Sequence, residues 1–96
     1  LGHKAHIGAG VVLSNFKSLP GNIKIELDGK PFDTGLRKFG ALLGDFAEVG
    51  CNSVLNPGSI VGRNSLIYPG SNWRGILAAN MIAKNKATLE VIARRA

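Results

Sequence analysis

The chain has 96 residues, 45% of them hydrophobic, and its 13 glycines follow no three-residue period, so it is one small domain able to form a core and is not collagen. With 12 Lys+Arg against 6 Asp+Glu the net charge is +6, which favours an anionic partner: nucleic acid, a membrane surface or a phosphorylated small molecule. No apolar run approaches the ~20 residues that span a bilayer, and the single Cys51 excludes an internal disulfide and fits a reducing cytoplasm.

From Leu1 onward the sequence falls into units of six: LGHKAH, IGAGVV, LSN, then LGDFAE, VGCNSV, LNPGSI, VGRNSL and IYPGSN. The first position is aliphatic: Leu1, Ile7, Leu13, Leu43, Val49, Leu55, Val61 and Ile67. The second is usually glycine. The fifth is small or β-branched: Ala5, Val11, Ala47, Ser53, Ser59, Ser65 and Ser71. Neither a helix nor an ordinary strand has this period. One short strand and one turn per unit, three units per triangular coil, satisfies it. The aliphatic residue then points inward, and the glycine beside it is expected to relieve crowding and to permit unusual dihedrals. No unit buries its apolar face alone, so the coils must stack. The expected fold is all-β, a parallel β-helix of about three coils over residues 1–73.

The register breaks over residues 16–36. Within them Ile23, Ile25 and Leu27 alternate with Lys24 and Glu26, and Asp28-Gly29 supplies a tight turn, so the spacing predicts a hairpin or long loop pushed out of one corner. Long insertions of this kind serve as decoration or as the wall of a site. The hexads restart at Arg37 or Lys38. After Ser71 the repeat decays, and residues 74–96 are read as an extended tail that caps the open end.

The chemistry-bearing residues are few. His3 and His6 share one hexad without a third ligand further on, so no metal site is expected. Cys51 stands at an outward position with no His near it in sequence, which suits packing or pocket lining better than nucleophilic attack. Lys17, Lys24, Lys30, Arg63, Arg74, Lys84 and Lys86 are scattered, as on a solvated face. Arg37-Lys38 differs, because it lies where the inserted loop rejoins the coil and can face a phosphate. No aromatic-interleaved basic stripe is present, so nucleic acid is not expected as a partner, and neither is a membrane.

Four segments, Ile7–Phe16, Thr34–Asp45, Val49–Gly62 and Ile67–Ser71, together resemble the C-terminal acetyltransferase domain of the bifunctional enzymes that make UDP-N-acetylglucosamine. The inserted loop and the GLRKFGA restart look most like the archaeal-type sugar-1-phosphate nucleotidylyltransferase/acetyltransferases. The resemblance implies a left-handed β-helix, a homotrimer, a cytoplasmic setting, and acetyl-CoA bound along the groove between two subunits with an amino-sugar phosphate beside it. It assigns Asn15 to positioning the amine or acetyl group. It places Lys38, with Arg37, on the acceptor phosphate and His6 near the reaction centre, where the family has Asn. Phe16, Cys51 (Ser in the bacterial enzyme) and Pro69 fall along the CoA groove, and Lys84 and Lys86 are weaker candidates for CoA phosphates. The general-base His of the family belongs about half a coil before Leu1. The chain is therefore expected to be the C-terminal portion of a longer protein, able to assemble but not to turn over alone. Two rival expectations remain. One is a non-catalytic trimerisation scaffold of a nucleotidylyltransferase. The other is a hexapeptide-repeat acyltransferase with a different acceptor.

Overall fold

The computed structural model describes residues 1–85 and 91–94. Twelve strands, all short, run through the described residues with no helix among them. They are β1 (His6–Ile7), β2 (Val12–Leu13), β3 (Lys24–Leu27), β4 (Lys30–Asp33), β5 (Ala41–Leu43), β6 (Glu48–Val49), β7 (Val54–Leu55), β8 (Ser59–Val61), β9 (Leu66–Ile67), β10 (Asn72–Trp73), β11 (Ile76–Leu77) and β12 (Ile82–Ala83). Ten of them form three parallel sheets, in the orders β1-β6-β9-β12, β2-β7-β10 and β5-β8-β11. These are the first, second and third faces of a triangular, left-handed parallel β-helix of hexapeptide rungs. The fold class read from the period of six is the fold observed.

The ladder of first positions is the core. Leu43, Val49, Leu55, Val61, Ile67 and Leu77 are buried, and Ile7, Trp73 and Ala83 complete the column as partly buried or packed neighbours. The fifth-position serines are buried too, and their hydroxyls donate to corner carbonyls: Ser59 Oγ to Asn56 O at 2.6 Å, Ser65 Oγ to Ala78 O at 2.6 Å, Ser71 Oγ to Tyr68 O at 2.6 Å. A buried hydroxyl without a partner would cost on the order of 1–3 kcal/mol. Here each one ties a turn to the strand that follows it or to a neighbouring coil.

The expectation for the second-position glycines is half corrected. They do relieve crowding: a Cβ on Gly44 would stand 2.8 Å from Arg63 N, and one on Gly62 would stand 2.5 Å from Ala79 N, backbone atoms of the next coil. They do not supply the unusual dihedrals. The left-handed backbone belongs to the fourth position, at Lys4, Gly10, Phe46, Asn52, Gly58, Asn64 and Gly70, and recurs at Asn80. Asn and Gly suit that conformation best, which is why they dominate there.

Two irregularities interrupt the stack, both at the corner between the second and third faces. The first coil leaves this corner after β2 and returns before β5. Between them β3 and β4 pair antiparallel, Leu27 opposite Lys30, around Asp28 and Gly29 with φ of 51° and 76°. Positive φ at both central residues is the hairpin geometry that Asp-Gly favours. Ile23 and Ile25 are buried where the hairpin lies over Gly58. The second irregularity lies in the third coil. Trp73 pairs with Leu55, yet Leu77 pairs with Val61, so this coil crosses the corner in two fewer residues than the coil beneath it. That shift is the source of the apparent decay of the repeat. Past the boundary at 73, residues Ile76–Leu77 and Ile82–Ala83 are built into the stack as β11 and β12, while residues 86–90 and 95–96 of the expected tail lie outside the described residues.

Candidate functional site

At the corner between the second and third faces the insertion passes through a narrow neck. Phe16 and Lys38 form an antiparallel bridge, and Phe39 N–H donates to Asn15 O at 2.9 Å. This pairing brings Asn15-Phe16 and Arg37-Lys38 side by side, although the whole inserted loop separates them in sequence. The Arg37 guanidinium lies over the Phe16 ring, 5.4 Å from its centroid, and donates to Gly21 O at 3.4 Å. Arg37 thus braces the neck. Asn15, Phe16 and Lys38 are all exposed there.

The corner between the first and second faces carries the second group. Ala9, Cys51 and Pro69 rise in a column, one per coil. Asn52 N–H donates to Ala9 O and Gly70 N–H to Cys51 O, both at 2.9 Å, so the column is fixed by the backbone. Asn85 extends it, donating through Nδ2 to Pro69 O at 3.1 Å. The thiol of Cys51 lies against the backbone of Gly8, where a Cβ would stand 2.7 Å from its Sγ. Lys84 Nζ lies 5.7 Å from the centroid of the Tyr68 ring on the same corner. Lys86 lies outside the described residues.

His6 is exposed on β1 and points out of the first face, in register with Glu48. His3 sits apart from it at the corner between the third and first faces, where its ring meets Phe46 edge-on at 5.7 Å and its backbone N–H donates to Asp45 Oδ1 at 2.7 Å. The two histidines therefore do not converge. Among the described residues no group of three or more His, Cys, Asp or Glu is placed to hold a metal ion.

Among the described residues, those that the resemblance assigns to substrate thus fall on two corners and one face, and within one chain the second face separates the two corners. A third feature escaped the sequence reading. Hollows of about 310, 200 and 350 Å³ lie between the inserted segment and the corner below it, the first two under the start of the hairpin and the third under residues 16–19, and all three are lined by Pro57 and Arg74. Lys17 and Lys24 line two of them each. These cations are far apart in sequence, and only the fold of the hairpin collects them.

A parallel β-helix of hexapeptide rungs, with polar residues at two outward corners and an insertion at one, is the class that fold and site define. No protein-family model matches the chain. Over 66 residues, 69% of its length, the chain is 33% identical to a bifunctional sugar-1-phosphate nucleotidylyltransferase/acetyltransferase of Sulfurisphaera tokodaii. The chain spans a small part of that relative, 16% of its length.

Proposed function

We propose that the chain is an acetyl-CoA-dependent N-acetyltransferase domain acting on an amino-sugar 1-phosphate of the glucosamine 1-phosphate type, in the synthesis of UDP-N-acetylglucosamine, and that it works as a homotrimer. The observation that carries this reading is the Phe16–Lys38 neck. It joins an amide, an aromatic ring and two cations on one exposed corner, within a chain similar to part of a bifunctional sugar-1-phosphate nucleotidylyltransferase/acetyltransferase.

A three-fold arrangement explains why the candidate residues lie on two corners. Suppose the corner between the third and first faces points to the three-fold axis. The first face of one chain then packs on the third face of the next, a heterologous contact that closes on itself. The outer rim of each contact pairs the Cys51–Pro69 corner of one chain with the Asn15–Lys38 corner of its neighbour. The outward column of the third face is Leu42, Ile60 and Ile76, aliphatic throughout, and Ile82 and Leu66 extend outward from the first. A chain this small gains stability by burying such columns against copies of itself.

In this reading Lys38 holds the phosphate of the acceptor and Asn15 orients its amine. His6, on the packed first face, lies beside the acceptor. Phe16, Cys51, Pro69 and Lys84 line the path of the thioester substrate, and the flat Ala9–Cys51–Pro69 column leaves room for an extended chain beside it. Bound acetyl-CoA supplies the acyl group as a thioester. The amine attacks its carbonyl carbon, a C–N bond forms, the C–S bond breaks, CoA leaves as thiolate and the amine proton passes to a base. No helix among the described residues is long and apolar enough to cross a membrane, and these substrates set the protein in the cytoplasm. The second reading, a non-catalytic trimerisation unit, is favoured by Cys51 and His6 standing where the resemblance places Ser and Asn.

The test is thiol release from acetyl-CoA with glucosamine 1-phosphate as acceptor, on the full natural polypeptide that contains these residues. Lys38→Ala should raise the acceptor KM about tenfold or more, the scale of a lost charge-assisted hydrogen bond, with a smaller effect on kcat. An unchanged KM removes Lys38 from the site.

A further inference from the structure

The two irregularities of the repeat meet at one place. The first coil opens after Leu13 to admit the hairpin, and the third coil is shortened after Trp73 at the same corner. The insertion overhangs where the coil beside it is shortened, and the hollows lie between them. Lys17, Lys24 and Arg74 line the hollows, and Glu26 is the only carboxylate on their walls among the described residues. Pro57, Ile76 and Phe16 give the hollows an apolar side. The recessed turn is held open by a defined contact: the indole N–H of Trp73 donates to Gly75 O at 2.9 Å, with Gly75 at φ 96°. Cations gathered in a concave, partly walled space act on an anion more strongly than the same charges on an open surface, because less water screens them.

We propose that this corner binds a phosphate group carried by a small organic molecule. The cations take the phosphate and the apolar wall takes the organic part. The site shares only its apolar neighbours Phe16 and Ile76 with the acetyl-transfer reading, and its cations Lys17, Lys24 and Arg74 take no part in that reading, so substitutions of the cations test it separately.

Trp73 is the single tryptophan of the chain and borders the recessed turn, so its fluorescence reports on the hollow. The protein is titrated with inorganic phosphate at constant ionic strength, with chloride as the replaced anion. Glucose 1-phosphate and adenosine 3′,5′-bisphosphate are then titrated as two arms, the first standing for a sugar phosphate and the second for the phosphorylated end of CoA. The expected result is a saturable change whose dissociation constant rises about tenfold in Lys24→Ala, the scale of one charge-assisted contact. It should stay within twofold in Lys30→Ala, on the same hairpin but outside the hollows. The tighter of the two organic arms names the source of the phosphate. Arg74→Gln, read by calorimetry, repeats the test should Lys24→Ala lose the hairpin. The same change with chloride alone, or equal weakening in Lys24→Ala and Lys30→Ala, overturns the site. Phosphate binding that survives while transfer to the amino sugar fails sinks only the acetyltransferase reading.

Discussion

A Cβ on Gly50 would meet the backbone nitrogen of Pro69 one coil away, and its Cα at 2.7 Å. The obstacle is backbone, held by the Gly50 N–H donating to Ile67 O at 2.8 Å, so it cannot turn aside as a side chain can. Gly50→Ala should therefore cost about 1–3 kcal/mol, the range for overpacking a tight interior, visible as a lowered midpoint in urea with unchanged slope. A midpoint equal to the wild type would mean that the coils yield more readily than this contact implies. The glycine pattern at position two was legible in the sequence, but its reason was only half legible. Crowding and dihedral freedom leave the same residue behind, and it takes the backbone to tell them apart. The left-handed corners had their own trace in Asn52, Gly58, Asn64 and Gly70, spaced by six, with Gly10 at the same place in its own hexad, and position four reads clearly once the corner is known to sit there.

Among the elements, the hairpin is the part most open to test. Gly29 has φ of 76° and open space where a Cβ would go, so Gly29→Ala strains the turn without a clash. The cost is about 1 kcal/mol, the usual penalty for a side chain in the left-handed region. It should fall on the hairpin alone: amide exchange should quicken across β3 and β4 and stay unchanged in β6 to β9. Quickening throughout would mean that the hairpin braces the coils through Ile23 and Ile25. Alternation and Asp28-Gly29 made this hairpin readable in the sequence. The shortened corner after Trp73 was not readable, because a count in sixes treats a missing pair of residues as the end of the repeat. For the same reason the cationic hollow stayed out of view: Lys17, Lys24 and Arg74 share no spacing, and one of the walls that gathers them is the irregularity itself.

At the scale of the whole molecule, the Asn15–Lys38 corner and the Cys51–Pro69 corner lie on opposite sides of the second face. The sequence motifs singled out both groups. They carried no information on how the groups meet, because in the proposed assembly the meeting occurs between chains. The aliphatic column Leu42–Ile60–Ile76 is the surface that would hold that assembly together. Ile60→Glu places a charge in its middle and should convert trimer to monomer in sedimentation velocity, while circular dichroism keeps the β signature. A trimer that persists would move the interface to another face. The most direct measurement of the central claim is a calorimetric titration of CoA into the assembled protein. The account predicts saturable binding of about one CoA per chain, lost when Pro69→Trp fills the corner column and lost in the Ile60→Glu monomer. No heat at millimolar CoA, or equal affinity in the monomer, would contradict a transferase groove built between two chains.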